Sequence, residues 1–164
     1  MSTEDNKALM HRFFEEVFNQ KNVVAIDEFI APNHVDHTLP PFLPTTPEGT
    51  KRAISAYLTA FPDLHITIED MFAEGDKVVT SFTSRGTQKR AFMGIPPTGK
   101  QVAVSSIVIA RIAGSKIVEQ WGLDDQMGMM QQLGVIPVMF GLVLLAGLAG
   151  GIGLTFLVRK ALKL

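Results

Sequence analysis

Residues 65–90 read HITIEDMFAEGDKVVTSFTSRGTQKR, and this stretch decides the fold. Ile66 and Ile68 alternate with His65, Thr67 and Glu69. That is the period-two pattern of a strand with one dry and one wet face. The alternation runs on to Ala73. Glu74-Gly75-Asp76-Lys77 then supplies hairpin-turn residues, and a second strand runs from Val78 to about Arg90. Downstream, FMGIPPTGK (92–100) is a loop with two prolines and two glycines. A third strand is expected over 102–112, a turn at Ala113-Gly114-Ser115-Lys116, and a fourth strand from Ile117 to about Leu123. Asp124 to Leu133 returns to helix, which Gly134 ends.

Upstream of residue 65 the period is helical. Ser2 or Thr3 can cap a first helix, with Leu9, Phe13, Phe14, Val17 and Phe18 recurring on one face through about Gln20. Asn22 starts a short second helix that places Val24, Ile26, Phe29 and Ile30 inward and stops at Pro32. Pro40, Pro41, Pro44 and Pro47 make residues 33–47 a loop. A third helix begins near Glu48, carries Ile54, Tyr57, Leu58 and Phe61, and is stopped by Pro62. Helices followed by meandering antiparallel strands indicate an α+β domain. One curved sheet wrapped around the helices would leave a pocket between them.

The chain has 164 residues, 15 basic and 16 acidic, for a net charge of −1. No broad basic surface is available for nucleic acid. Cysteine is absent, which excludes disulfides, thiol nucleophiles and thiolate metal sites. The start, MSTEDNKALMHRFFEE, is polar and acidic and has no signal-peptide apolar segment.

The C-terminal region differs from everything before it. Residues 138–158, VMFGLVLLAGLAGGIGLTFLV, carry no charge over 21 positions, and Arg159, Lys160 and Lys163 follow. A helix of that length would cover roughly 30 Å, the thickness of a bilayer's hydrocarbon core. Two parts are therefore expected: a soluble domain over 1–135 and a membrane anchor over 136–164. Within the apolar run, Gly147 and Gly151 are spaced by four, and Gly150 and Gly153 extend the same strip of small residues. Such a strip lets another helix approach closely. The positive-inside rule would put the basic tip in the cytoplasm. Moving a 135-residue domain across without an export signal is harder, so the domain is expected there instead, on a single-pass membrane protein.

Three segments carry a family resemblance: HVDH (34–37), FMGIPPTGK (92–100) and KIVEQWGLDDQMGMMQQLG (116–134). They resemble the SnoaL-like polyketide cyclases, which have the nuclear transport factor 2-like α+β cone fold. The likeness runs from about Lys7 to Pro137. It implies a cone of three helices on a curved antiparallel sheet. It also implies an intramolecular aldol closure, with an aspartate as acid and base at Asp125 and a pocket histidine at His37. Family members often read Gly-Thr-His before the proline loop. This chain reads Gly86-Thr87-Gln88, and Gln88 cannot exchange a proton near neutral pH. The fold itself hosts cyclases, isomerases, dehydratases and proteins with no catalysis.

Each candidate residue also has a structural reading. Asp124 or Asp125 can serve as a helix N-cap, and a cap on one leaves the other free. His34, Asp36 and His37 resemble a metal cluster, but the other histidines, His11 and His65, lie far off in sequence, no further ligand is indicated and no metal is expected. Trp121 fits a pocket wall or the core, Tyr57 a pocket hydrogen bond or surface packing, and Asp36 and Gln88 the pocket lining. No cofactor is expected. Two functions survive. One is a non-catalytic accessory subunit, docked by its tail into a larger membrane complex or onto another copy of itself. The other is a membrane-anchored cyclase or isomerase using Asp125 and His37 on a small apolar carbonyl ligand. Gln88 and the glycine strip favour the first.

Overall fold

The computed structural model describes residues 2–135. Ser2 caps α1 (Thr3–Phe13) through a reciprocal capping box. The Asp5 amide donates to Ser2 Oγ at 3.1 Å and the Ser2 amide donates to Asp5 Oδ2 at 2.9 Å. The helical path then widens into a π-helical segment, Phe14–Asn19. Asn19 ends it by bonding both backbone groups of Ile66: Ile66 N–H donates to Oδ1 at 2.8 Å, and Nδ2 donates to Ile66 C=O at 3.1 Å. A 3-10 turn (Val23–Ala25) and the one-turn α2 (Ile26–Phe29) follow. Val24 is largely exposed there instead of facing inward.

The chain next forms β1 (Ile30–Asp36), where the sequence reading placed a helix end and a loop. The five strands are completed by β2 (His65–Glu74), β3 (Lys77–Thr87), β4 (Gln101–Ala113) and β5 (Lys116–Asp124), with α3 (Pro47–Ala60) before them and α4 (Gln126–Leu133) after. The sheet order is β1-β5-β4-β3-β2. The expected antiparallel sheet is thus mixed, because β1 lies parallel to β5. Pro32 is tolerated because β1 is an edge strand. The β4–β5 turn uses Gly114 and Ser115, both at positive φ, the pair of conformations that matches strand twist. Register shifts between Ile68 and Asp70 and between Arg111 and Ile112 bend the sheet.

Even-numbered residues of β3 and β4 face the helices. Val78, Val102, Val104, Ala110 and Ile112 join Met10, Phe13, Phe29, Phe61 and Leu133 in one core. The opposite sheet face carries Phe72, Val79, Ile109 and Trp121 in a cross-strand row. Among the described residues no helix is long and apolar enough to cross a membrane. The uncharged run 138–158 and the strip of Gly147, Gly150, Gly151 and Gly153 lie outside them.

Candidate functional site: a cavity in the cone

Between the concave sheet face, α1, α3 and α4 lies a cavity of about 190 Å³. Its walls are mainly aromatic and aliphatic, among them Phe13, Phe14, Phe18, Ile54, Phe82 and Met129. Polar groups enter from two directions. From β1 and the loop after it come Asp36 and Thr38, joined by Thr50 of α3 and Gln120 of β5. From the sheet floor and the mouth come Ser84, Ser106 and Asp124, with Tyr57 from α3.

Asp36 is 1% exposed. Its Oδ1 accepts from the Thr38 amide at 2.9 Å and the Thr38 hydroxyl at 2.5 Å. Its Oδ2 accepts from the Thr50 hydroxyl at 2.9 Å and Gln120 Nε2 at 2.8 Å. Four donors occupy the carboxylate's acceptor sites. The side chain therefore ties β1, α3 and β5 together and has little capacity left to take a substrate proton.

The aspartate pair at the end of β5 divides its work. Asp125 caps α4: the Gly128 amide donates to its Oδ1 at 2.8 Å. A Cβ on Gly128 would sit 2.1 Å from Asp125 Oδ2, so any other residue there would make the capping carboxylate turn. Asp124 faces the cavity and lies opposite Ser106 in the β4–β5 register. Among the described residues its carboxylate makes only a long contact, 3.4 Å, with Gln126 Nε2. Burial chiefly, and the Asp124 charge after it, push the Tyr57 phenol above its usual pKa. Tyr57 is therefore a hydrogen-bond donor throughout the physiological range. Among the described residues its hydroxyl meets only the Met129 sulfur, at 3.9 Å.

Strand alternation separates the HVDH residues. His34 and Asp36 point inward. His37 points outward, stacks on Trp121 at 5.2 Å between ring centroids, and contacts Glu119 Oε1 through Nε2 at 3.0 Å. Arg111 donates twice to Glu119 Oε2, at 2.9 and 2.7 Å. The bonds from His37 and then Arg111 hold the Glu119 carboxyl below its usual pKa. His37, Trp121 and Asp125 thus lie away from the cavity lining, whereas Asp36 and Tyr57 belong to it. No group of three or more potential metal ligands converges among the described residues.

Gln88 is also away from the lining and fully buried. Its Nε2 donates to the Ile95 and Pro96 carbonyls, both at 3.2 Å. Its Oε1 accepts from the Thr98 amide at 3.2 Å and the Thr98 hydroxyl at 2.7 Å. It is the clamp of the proline loop.

His34 is 2% exposed, and neither ring nitrogen has a hydrogen-bond partner of good geometry among the described residues. Burial pushes its pKa down, offset in part by the nearby Asp36 charge and the Ile117 backbone. The unfolded chain therefore binds this proton more readily than the folded one. Stability is full above the unfolded histidine value of about 6.5 and falls as pH drops below it. The depressed carboxyls of Asp63 and Glu119 act only in the lower, carboxylate range. Urea midpoints at pH 7.5 and 5.5 should differ in the wild type and differ less in His34→Leu. An equal difference in both proteins would remove His34 as the cause.

With this geometry in view, the comparisons with known proteins are consistent. Residues 8–133 match the model of the SnoaL-like polyketide cyclases. No curated protein matches the chain. Among solved structures, TsrD from Streptomyces laurentii is 27% identical, with a TM-score of 0.75, over 82% of this chain and 98% of that one. IdmH from Streptomyces antibioticus is 32% identical, with a TM-score of 0.69, over 79% and 99%. A protein from Acidithiobacillus ferrooxidans, described as a candidate polyketide cyclase, is 31% identical, with a TM-score of 0.70, over 81% and 97%.

Proposed function

The chain belongs to the SnoaL-like polyketide cyclase family, and we propose that its cone binds a small, largely apolar carbonyl compound and moves a proton at the carbon beside the carbonyl. The fold is the family's nuclear transport factor 2-like α+β cone. The observation that carries the reading is the meeting of three groups on one apolar cavity: Asp124, Tyr57 and the sheet hydroxyl opposite Asp124, Ser106. Asp125 is occupied as a cap and His37 by Glu119, so the proton-transfer role falls to Asp124. A ligand seated in the mouth would displace water from that carboxylate and strengthen its electrostatic interactions. Tyr57 would donate to the ligand's oxygen as charge develops on it. The test uses ethyl 2-methylacetoacetate in D₂O, whose single proton between two carbonyls exchanges at a rate readable by NMR. The protein should accelerate that exchange, and Asp124→Asn should remove the acceleration. No acceleration by the wild type would overturn the reading.

A second reading rests on residues 138–158. Their 21 uncharged positions are long enough to cross a bilayer. In this reading the segment anchors the chain, the glycine strip packs on another membrane helix or a second copy, and the cone serves as an accessory subunit on the cytoplasmic side. Flotation of the full chain with lipid vesicles would support it. Recovery in the aqueous fraction would sink it.

A further inference from the structure

We propose that Ser84 and Ser106 join Tyr57 in recognising the ligand's oxygen, and that the ligand is about the size of a single ring. The proposal rests on the reading of the cavity as a ligand site and adds what that site selects.

Both serines are 5% exposed and both line the cavity. They occupy inward positions of β3 and β4, where their neighbours are Phe82 and Val104. In the register Ser84 pairs with Val104 and Ser106 with Phe82, so the two hydroxyls are diagonal neighbours on adjacent strands. Such neighbours stand roughly 7 Å apart, close enough for one small molecule to touch both. Asp124 is directly opposite Ser106 on the other side. Neither serine hydroxyl is among the sealed, unpartnered polar atoms of the described residues; both open onto the cavity.

A hydroxyl that opens only onto a narrow, aromatic-walled cavity depends on whatever fills that cavity for its hydrogen bond. Two such hydroxyls on one aromatic-walled floor would be better replaced by alanine or valine if packing were their only task. A ligand carbonyl or hydroxyl oxygen supplies the missing partner. The volume sets the size. An apolar cavity of about 150 Å³ takes up benzene, and this one is about 190 Å³. One ring with a short oxygen-bearing substituent fills that space, and a fused second ring would have to extend out through the mouth, past exposed Gly122, Asp124 and Gln126.

The experiment measures binding of three probes to the wild-type chain and to Ser84→Ala, Ser106→Ala and the double variant, by protein-observed NMR titration. Acetophenone has one ring and one carbonyl oxygen. Ethylbenzene has nearly the same shape without the oxygen. 2-Acetylnaphthalene adds a ring. In the double variant the preference for acetophenone over ethylbenzene should fall on the order of tenfold, while ethylbenzene binds as well as before or better. The unfolding midpoint should not drop, because no protein partner is lost. A preference unchanged in the double variant would overturn the serine assignment and leave the cavity reading standing. 2-Acetylnaphthalene binding as tightly as acetophenone would overturn the size limit. Binding of none of the probes to the wild type would overturn this proposal and the cavity reading together.

Discussion

Asp36→Ala is expected to cost about 3–5 kcal/mol of folding stability, as much as truncating a buried core aromatic. The carboxylate holds the Thr38 amide and hydroxyl, the Thr50 hydroxyl and Gln120 Nε2. Alanine leaves those donors without an acceptor on the wall of a largely apolar cavity. Each unpaired buried donor costs about 1–3 kcal/mol, reduced where cavity water can reach it. Asp36→Asn separates shape from chemistry. Its amide keeps one acceptor oxygen but turns an NH₂ toward two donors, so it should fall between wild type and alanine. Urea unfolding should show the midpoint falling with an unchanged slope. A loss under about 1 kcal/mol for alanine would mean that the network does not hold β1 to α3 and β5.

Gln88→Ala is expected to cost about 2–4 kcal/mol, and the damage should be local. The side chain spends both donors and its acceptor oxygen inside residues 95–98. Its own backbone adds bonds to Lys100 and Gly99. Losing the amide strands the Pro96 carbonyl and the Thr98 amide, takes the acceptor from the Thr98 hydroxyl and opens a void, while the Ile95 carbonyl keeps the Phe92 amide. Amide exchange at Thr98 and Gly99 should accelerate more than exchange in the centre of β4. Gln88→His should give a smaller loss, since imidazole offers one donor and one acceptor in place of the full amide set. Uniform acceleration across the domain would instead make Gln88 part of the global core.

These two residues also mark the limits of reading the chain alone. Gln88 stood out in the sequence as a group unable to carry a proton. Its four bonds come from a loop whose path the sequence does not specify. Strands β2 to β5 were legible because alternation is a local signal. β1 was not: Pro32 and the polar run Asn33 to Asp36 resemble a loop, and the parallel partner β5 lies more than 80 residues away. Without β1 there was no parity to turn His37 outward and Asp36 inward. The adjacent pair Asp124 and Asp125 was legible as one cap and one free carboxylate. Which was which depended on how the chain leaves β5. Ser84 and Ser106 went unnoticed although a signal existed. Both share the even-numbered parity of Val78, Val102 and Val104, and a polar residue at an inward position of a strand asks for a partner.

The division of labour between the two aspartates is the claim on which the functional account turns. Exchange of the ethyl 2-methylacetoacetate proton in D₂O should be compared across the wild type, Asp124→Asn and Asp125→Asn. The account predicts an accelerated rate in the wild type, loss of that acceleration in Asp124→Asn, and retention of most of it in Asp125→Asn alongside about 1 kcal/mol of lost stability. Acceleration that survives in Asp124→Asn and disappears in a folded Asp125→Asn would contradict it.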